Sequence, residues 1–217
     1  MTSYVRSERE ALADLLLAVG PDQPTLCEGW DTRDLAAHLV VRERRLDASP
    51  GIVLPPLAGW TRHVQDGVAE QDLAALAEQI RTGPPWWSPF GLPGVDERVN
   101  LAEFFVHHED VRRGQLGWEP RDLDPRLRSA LWAVARRSSR LLLRQVPVGV
   151  VLRRTDAPDG TPDDRVEARV RGGDPTVTLV GPAPELVLRV FGRTAARVDV
   201  EGDEAAVRAF EDARLGV

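Results

Sequence analysis

A glutamate and a histidine stand four residues apart in the segment EFFVHHED, residues 103–110 of a chain with four histidines. In a helix, Glu103 and His107 project from one face a turn apart, and Asp110 lies a further turn along. A carboxylate and an imidazole at this separation are able to bind one metal ion from a rigid scaffold. His38, on another predicted helix, supplies a third ligand across a helical bundle. The residues therefore predict a metal centre with three protein ligands and open coordination positions.

The same spacing leaves alternatives open for the neighbouring residues. A glutamate and a histidine four residues apart also form plain surface pairs on many helices. His108 lies nearer the middle of the apolar stripe than His107, so helical phase does not decide which of the two histidines binds an ion. His108 and Asp110 are further candidates, for catalysis or for orienting a ligand. For Asp110 the alternative is a place on the charged face of the helix.

Aromatic residues in a proline-rich segment are candidates for a substrate pocket. Residues 83–94 cannot form a regular helix, because their prolines fix φ and lack an N–H group. Trp86, Trp87 and Phe90 would either line a pocket or anchor this segment to the helices. Cys27 is either a reactive thiol near the cleft or a small buried side chain.

Composition excludes several classes of protein and of site. A formal net charge of −6 disfavours a general nucleic-acid binder. The single cysteine excludes an internal disulfide and a cysteine-rich zinc site, and it indicates a reducing cytoplasm. The N-terminal segment lacks the apolar run of a signal peptide, and no later stretch reaches the ~20 apolar residues of a membrane span. We expect a cytoplasmic protein, monomeric or homodimeric, with neither nucleic acid nor membrane as a partner.

Apolar residues recur at helical spacing through the first two-thirds of the chain. Residues 49–60 contain several prolines and glycines, which predict a loop or a short ordered segment. His63 is interpreted as a surface residue in a loop-rich region. The predicted elements favour an up-down, all-α helical bundle over residues 1–145. Five helices are predicted in this bundle: one ends at Gly20, one begins at Asp31, and three cover residues 71–81, 96–114 and 124–144.

After Pro147 the pattern changes to short β-branched runs separated by turns. Three such runs are VGVVLRR, DRVEARV and TVTLVG; they are followed by a predicted helix in PAPELVLRVFG, a strand in ARVDVEG and a closing helix in DEAAVRAFEDAR. These elements predict a small α+β domain over residues 146–217. About 70 residues is near the lower limit for one self-sufficient core, so we expect this domain to pack on the bundle.

Three segments resemble the mycothiol-dependent maleylpyruvate isomerase N-terminal family, which belongs to the DinB-like metal-binding bundles. They are TLCEGW (25–30), DTRDLAAH (31–38) and EFFVHHED (103–110). More narrowly, LCEGW with VVRERR and VHHEDVRR is similar to an actinobacterial branch of metal-binding proteins. By position, the resemblance assigns a divalent metal, with Zn²⁺ favoured, to His38, Glu103 and His107. It also implies a DinB-like bundle, a sterol-carrier-protein-like C-terminal domain and mycothiol as a co-substrate.

Three functions are compatible with these residues. The first is a thiol-dependent isomerase or transferase, in which the metal lowers the pKa of a low-molecular-weight thiol and holds a thiolate that attacks a small anionic or electrophilic substrate. The second is a non-catalytic metal- or small-ligand-binding protein of the same fold. The third is an interaction protein in which Glu103 and His107 form a pair that binds nothing. The identity of the metal and of the substrate stays open.

Overall fold

The computed structural model describes residues 3–52, 54–86, 88, 95–158 and 160–215. The chain divides into two units, Met1–Pro120 and Arg121–Val217. The first unit is helical, and the second combines helices with a small sheet, so the predicted order of a helical unit and a small α+β unit is confirmed. Among the described residues, no helix is both long enough and apolar enough to cross a membrane.

Amphipathic helices build the first unit around one apolar core. Helix α1 packs against α4 and α5, and α2 packs against α3 and α4. The largest fully buried side chains include Leu12, Leu35, Leu76 and Phe104, which come from four different helices. The helices are α1 (Tyr4–Val19), α2 (Thr32–Arg44), α3 (Ala58–Ala69), α4 (Leu73–Thr82) and α5 (Val95–Gly114), with 3-10 turns at Ser49–Ile52 and Pro55–Leu57.

Helix α3 occupies a region that the sequence did not predict as helical. His63 lies within it, so its assignment to a loop-rich region was wrong. The helix buries Thr61, Val64 and Val68, whose spacing follows one helical face. The prolines just before it form a 3-10 turn that leads directly into the helix, and this turn concealed the start of the amphipathic pattern.

Charged side chains also enter the interior of the helical unit. Arg9 of α1 and Glu43 of α2 form a bidentate ion pair in which both side chains are almost fully buried. The guanidinium of Arg9 also stacks over the ring of Phe104, with its carbon 4.0 Å from the ring centroid. This pair joins α1 to α2 and contacts α5. It therefore helps to set the distances between these three helices.

The second unit places helices on a four-stranded mixed sheet of order β2-β1-β3-β4. Strand β1 runs parallel to β3, and the outer strands β2 and β4 are antiparallel to their neighbours. Four strands and two helices lie where they were predicted after residue 147, except that the first three residues of DRVEARV form a helical turn and the strand begins at Glu167. The elements are α6 (Pro125–Leu142), β1 (Gly149–Arg154), α7 (Asp163–Val166), β2 (Glu167–Arg171), β3 (Thr176–Gly181), α8 (Ala183–Val190), β4 (Asp199–Glu201) and α9 (Glu204–Glu211).

Helix α6 belongs to the second unit, whereas the sequence analysis placed it in the bundle with a boundary between residues 145 and 146. Its buried residues include Leu127, Leu131 and Trp132, and the helix packs on α8 and touches β2. Helix α8 is buried along its whole length, so its apolar surface requires a covering helix as well as the sheet. Periodicity had shown that α6 is amphipathic, but it could not show which apolar surface α6 covers.

We expect Arg9→Met to destabilise the protein by about 3–5 kcal/mol, because it leaves the buried carboxylate of Glu43 without its ion pair. Arg6→Met is the matched control on the same helix, since it removes an exposed pair with Glu10 and should cost at most about 0.5 kcal/mol. Urea unfolding of both variants measures the difference. Equal destabilisation by the two substitutions would contradict the structural role given to the buried pair.

Candidate metal centre

Helix α5 supplies the carboxylate and one imidazole of the candidate site. Its core face buries Phe104, Phe105 and Val111 against the helical unit, which fixes the rotation of the helix. Glu103 and His107 lie beside that face, and Nε2 of His107 is 3.4 Å from Oε1 of Glu103. Packing of the apolar stripe therefore determines where the two candidate ligands point.

Helix α2 supplies the second imidazole. Asp31 caps the helix by accepting hydrogen bonds from the backbone N–H groups of Arg33 and Asp34, and the side chain of Asp34 accepts one from the backbone of Asp31. The ring of His38 packs against Trp30, with centroids 4.9 Å apart. Its Nε2 lies 3.4 Å from Oε1 of Glu103. Both imidazoles thus meet the same carboxylate oxygen, as the sequence predicted for the three residues.

The other ring nitrogen of His107 faces a carboxylate. Nδ1 of His107 is 2.9 Å from Oδ2 of Asp110, which is fully buried and also accepts a hydrogen bond from the Cys27 thiol over 3.2 Å. A hydrogen bond from Nδ1–H to Asp110 leaves Nε2 as the nitrogen that can bind an ion. Asp110 therefore orients His107, and it does not lie on a solvated charged face.

A loop carries Cys27 to this position. The backbone N–H of Leu26 donates to the carbonyl oxygen of Asp110, and the side chain of Gln115 donates to the carbonyl of Pro24. Gly114 permits the close approach, because a Cβ there would lie 2.2 Å from the carbonyl oxygen of Pro24. The Cys27 thiol is half-buried and lies beside the candidate ligands, and its reactivity stays a prediction. Cys27, His107 and Asp110 form a second group with metal-ligating side chains, and it shares His107 with the first.

Burial and hydrogen bonding set the charge states. Burial favours a higher pKa for Glu103, but hydrogen bonds from His107 and His38 and the charge of Arg42 outweigh it, so the pKa lies well below its ordinary value. Burial favours a lower pKa for His107, yet its contacts with Asp110, Cys27 and Glu103 raise that pKa well above its ordinary value. Burial lowers the pKa of His38. Near neutral pH these shifts favour an ionised Glu103, a protonated His107 and a neutral His38 in the metal-free site.

The separations fit a single coordination sphere. Ligand atoms about 2.1 Å from one ion in tetrahedral geometry are about 3.4 Å apart. Both Nε2···Oε1 distances have this value, and the ligand atoms of His38, Glu103 and His107 all lie within 4.8 Å of one another. Two imidazoles and one carboxylate are a donor set that Zn²⁺ and other divalent transition metals accept.

The remaining candidates lie elsewhere or stay predictions. His108 points away from His107, and its Nδ1 lies 2.8 Å from Oε2 of Glu8 on α1, where both side chains are buried. Trp86 is 92 % exposed, and Trp87 and Phe90 lie outside the described residues, so the substrate pocket assigned to these three stays a prediction.

Sequence reasoning missed three residues that shape the site: Trp30, which packs on His38, Arg42, which pairs with Glu103, and Asn100, which accepts a hydrogen bond from Arg42. Arg42 follows His38 by four residues, and Asn100 precedes Glu103 by three, so helical spacing carried a signal for both.

No protein-family model, curated protein or solved structure matches the chain.

In the metal-free protein we expect His107 to titrate well above pH 6.5 and His38 below it. Because the folded pKa of His107 is raised, its contribution to stability is complete below pH ~6.5 and is lost as the pH rises through the folded pKa. Histidine ring NMR in the presence of EDTA measures both values.

Two variants provide a matched comparison for this titration. Asp110→Asn removes the carboxylate on Nδ1 of His107 and should lower the pKa of His107. Glu8→Gln changes the equivalent partner of His108 and should leave the pKa of His107 unchanged. An unshifted His107 in Asp110→Asn would contradict the role given to that carboxylate.

Proposed function

We propose that this protein binds one divalent transition-metal ion, with Zn²⁺ as the favoured ion, through His38, Glu103 and His107. The observation that carries the proposal is the convergence of two imidazole nitrogens on one carboxylate oxygen, each at 3.4 Å. Three protein ligands leave a coordination position for water or a substrate, which is typical of catalytic sites. The ion would replace the proton that His107 holds in the metal-free site, so apparent affinity should rise with pH.

We further propose that the site serves a thiol-dependent isomerase or transferase. A bound divalent ion supplies Lewis acidity, which lowers the pKa of a coordinated thiol and makes the thiolate available at neutral pH. The residues of the chain have distinct tasks in this scheme. Asp110 keeps the proton of His107 on Nδ1, Trp30 holds the ring of His38 in place, and Glu103 supplies the negative charge among the ligands.

The resemblance of three segments to the maleylpyruvate isomerase family supports mycothiol as the thiol and a small anionic or electrophilic molecule as the substrate. In the isomerase reaction, a thiolate would add to the carbon–carbon double bond of an unsaturated diacid, and the displaced electron pair would move to the conjugated carbonyl group. The resulting single bond rotates, and the electron pair returns as the thiolate leaves. In a transferase reaction the C–S bond remains, and the electrophile either takes up a proton on the adjacent carbon or loses its leaving group. The DinB-like and sterol-carrier-protein-like identities of the two units, and a cytoplasmic location, belong to the same proposal.

An alternative is a protein of the same fold that binds a metal or a small ligand without turnover. The burial of the candidate ligands favours it, because the side chains of His38 and His107 are only 9 % and 11 % exposed and that of Glu103 is 22 % exposed. Such a centre is accessible to an ion or a small ligand more easily than to two organic reactants.

Metal content of untagged protein tests the ligand assignment. We expect about one ion per chain in the wild type, and loss of most of it in His38→Gln and in His107→Gln, because each substitution removes one of three ligands. His108→Gln is the matched control, since it changes the adjacent histidine, which also contacts a buried carboxylate. Loss of metal in His108→Gln but not in His107→Gln, measured by elemental analysis, would show that the neighbouring histidine is the ligand.

Spectroscopy of the Co²⁺-substituted protein separates the enzyme from the binding protein. We expect mycothiol to change the d–d absorption and to produce a thiolate-to-cobalt charge-transfer band, because a thiolate would occupy the open position. S-methylated mycothiol is the control, since it has no ionisable thiol. A spectrum that is silent to mycothiol and to other low-molecular-weight thiols would contradict the thiol-dependent reaction and favour the alternative.

A further inference from the structure

Arg42 places a buried positive charge beside the candidate ligands. It lies four residues after His38 on α2, so the two side chains leave the same face of the helix. Its Nε is 3.2 Å from Oε1 of Glu103, the oxygen that both imidazoles face, and its side chain is 11 % exposed. An ion bound to these groups would therefore lie close to a guanidinium.

Hydrogen bonds from neighbouring helices hold this guanidinium in place. Nη1 of Arg42 donates to Oδ1 of Asn100 over 2.6 Å, and the amide nitrogen of Asn100 donates in turn to Oε1 of Glu43 over 3.4 Å. Glu43 is itself paired with Arg9 of α1. Three helices thus fix the position of Arg42, and its charge cannot move away from the site without breaking buried hydrogen bonds.

We infer that the open coordination position prefers an anionic ligand to a neutral one, and that Arg42 sets this preference. The inference rests on the metal site of the proposed function. The carboxylates of Glu103 and Asp110 match the charge of a divalent ion, and the guanidinium adds a positive charge to the same cluster. At low local dielectric this charge attracts a thiolate or a carboxylate and gives no comparable gain to a neutral donor.

The test uses the full chain loaded with Co²⁺ and titrated with azide, an anion, and with imidazole, a neutral donor. The ratio of their affinities is compared with the same ratio for Co²⁺ in water, which removes the intrinsic preference of the ion. We expect the wild type to favour azide on the order of tenfold more than free Co²⁺ does, and Arg42→Met to lose this excess.

Arg42→Lys should retain most of the preference, because it keeps the charge. Arg45→Met is the matched control, since it removes an exposed positive charge just after α2. A wild-type ratio equal to that of free Co²⁺ would overturn the inference without any variant, even if Arg42→Met fails to fold. An Arg42→Met protein that binds Co²⁺ and keeps the full azide preference would also overturn it. Failure of the wild type to bind Co²⁺ stoichiometrically would instead overturn the proposed function, and the inference with it.

Discussion

One carboxylate oxygen, Oε1 of Glu103, organises the polar interior of the helical unit. Two imidazole nitrogens and one guanidinium nitrogen lie within 3.4 Å of it, and they come from α2 and α5. A partly buried carboxylate without such partners would be costly, because burial disfavours its ionised form. The side chains around Glu103 therefore stabilise the charge, and they also place two metal-ligating nitrogens at one point. The same contacts serve the metal-free protein and prepare it for an ion.

The neighbouring histidines of α5 show how helix geometry separates two roles. Successive residues of a helix are rotated by ~100°, so His107 and His108 face different helices. His107 faces α2 and the Cys27 loop, where Asp110 fixes its proton, and His108 faces α1, where it contacts Glu8. Both imidazoles use Nδ1 to reach a buried carboxylate, and Nε2 of His107 lies beside Glu103 within a group of possible metal ligands.

Buried ion pairs are a weak source of stability, because desolvation offsets much of their attraction. The helical unit nevertheless contains Arg9 with Glu43, and Arg42 with Glu103, between its apolar helices. These ion pairs contribute to function because they fix the positions of side chains near the candidate ligands. Each pair joins side chains of different helices, and Asn100 connects the two pairs through hydrogen bonds. The geometry at the candidate ligands therefore depends on charged residues one or two contacts away from them.

The sequence by itself predicted most of the local structure, because capping, helical period and β-branched runs depend on neighbouring residues. Spacing placed Glu103 and His107 on one helix face, whereas the choice of His107 over His108 rested on the resemblance. Asp31 caps α2 and the apolar stripe of α5 is buried, as predicted. Tertiary structure alone decided which surface α6 covers and that Cys27 adjoins the site. These features depend on contacts between residues far apart in the chain, such as the contact of Cys27 with Asp110. A local sequence pattern does not encode which distant segments pack against each other.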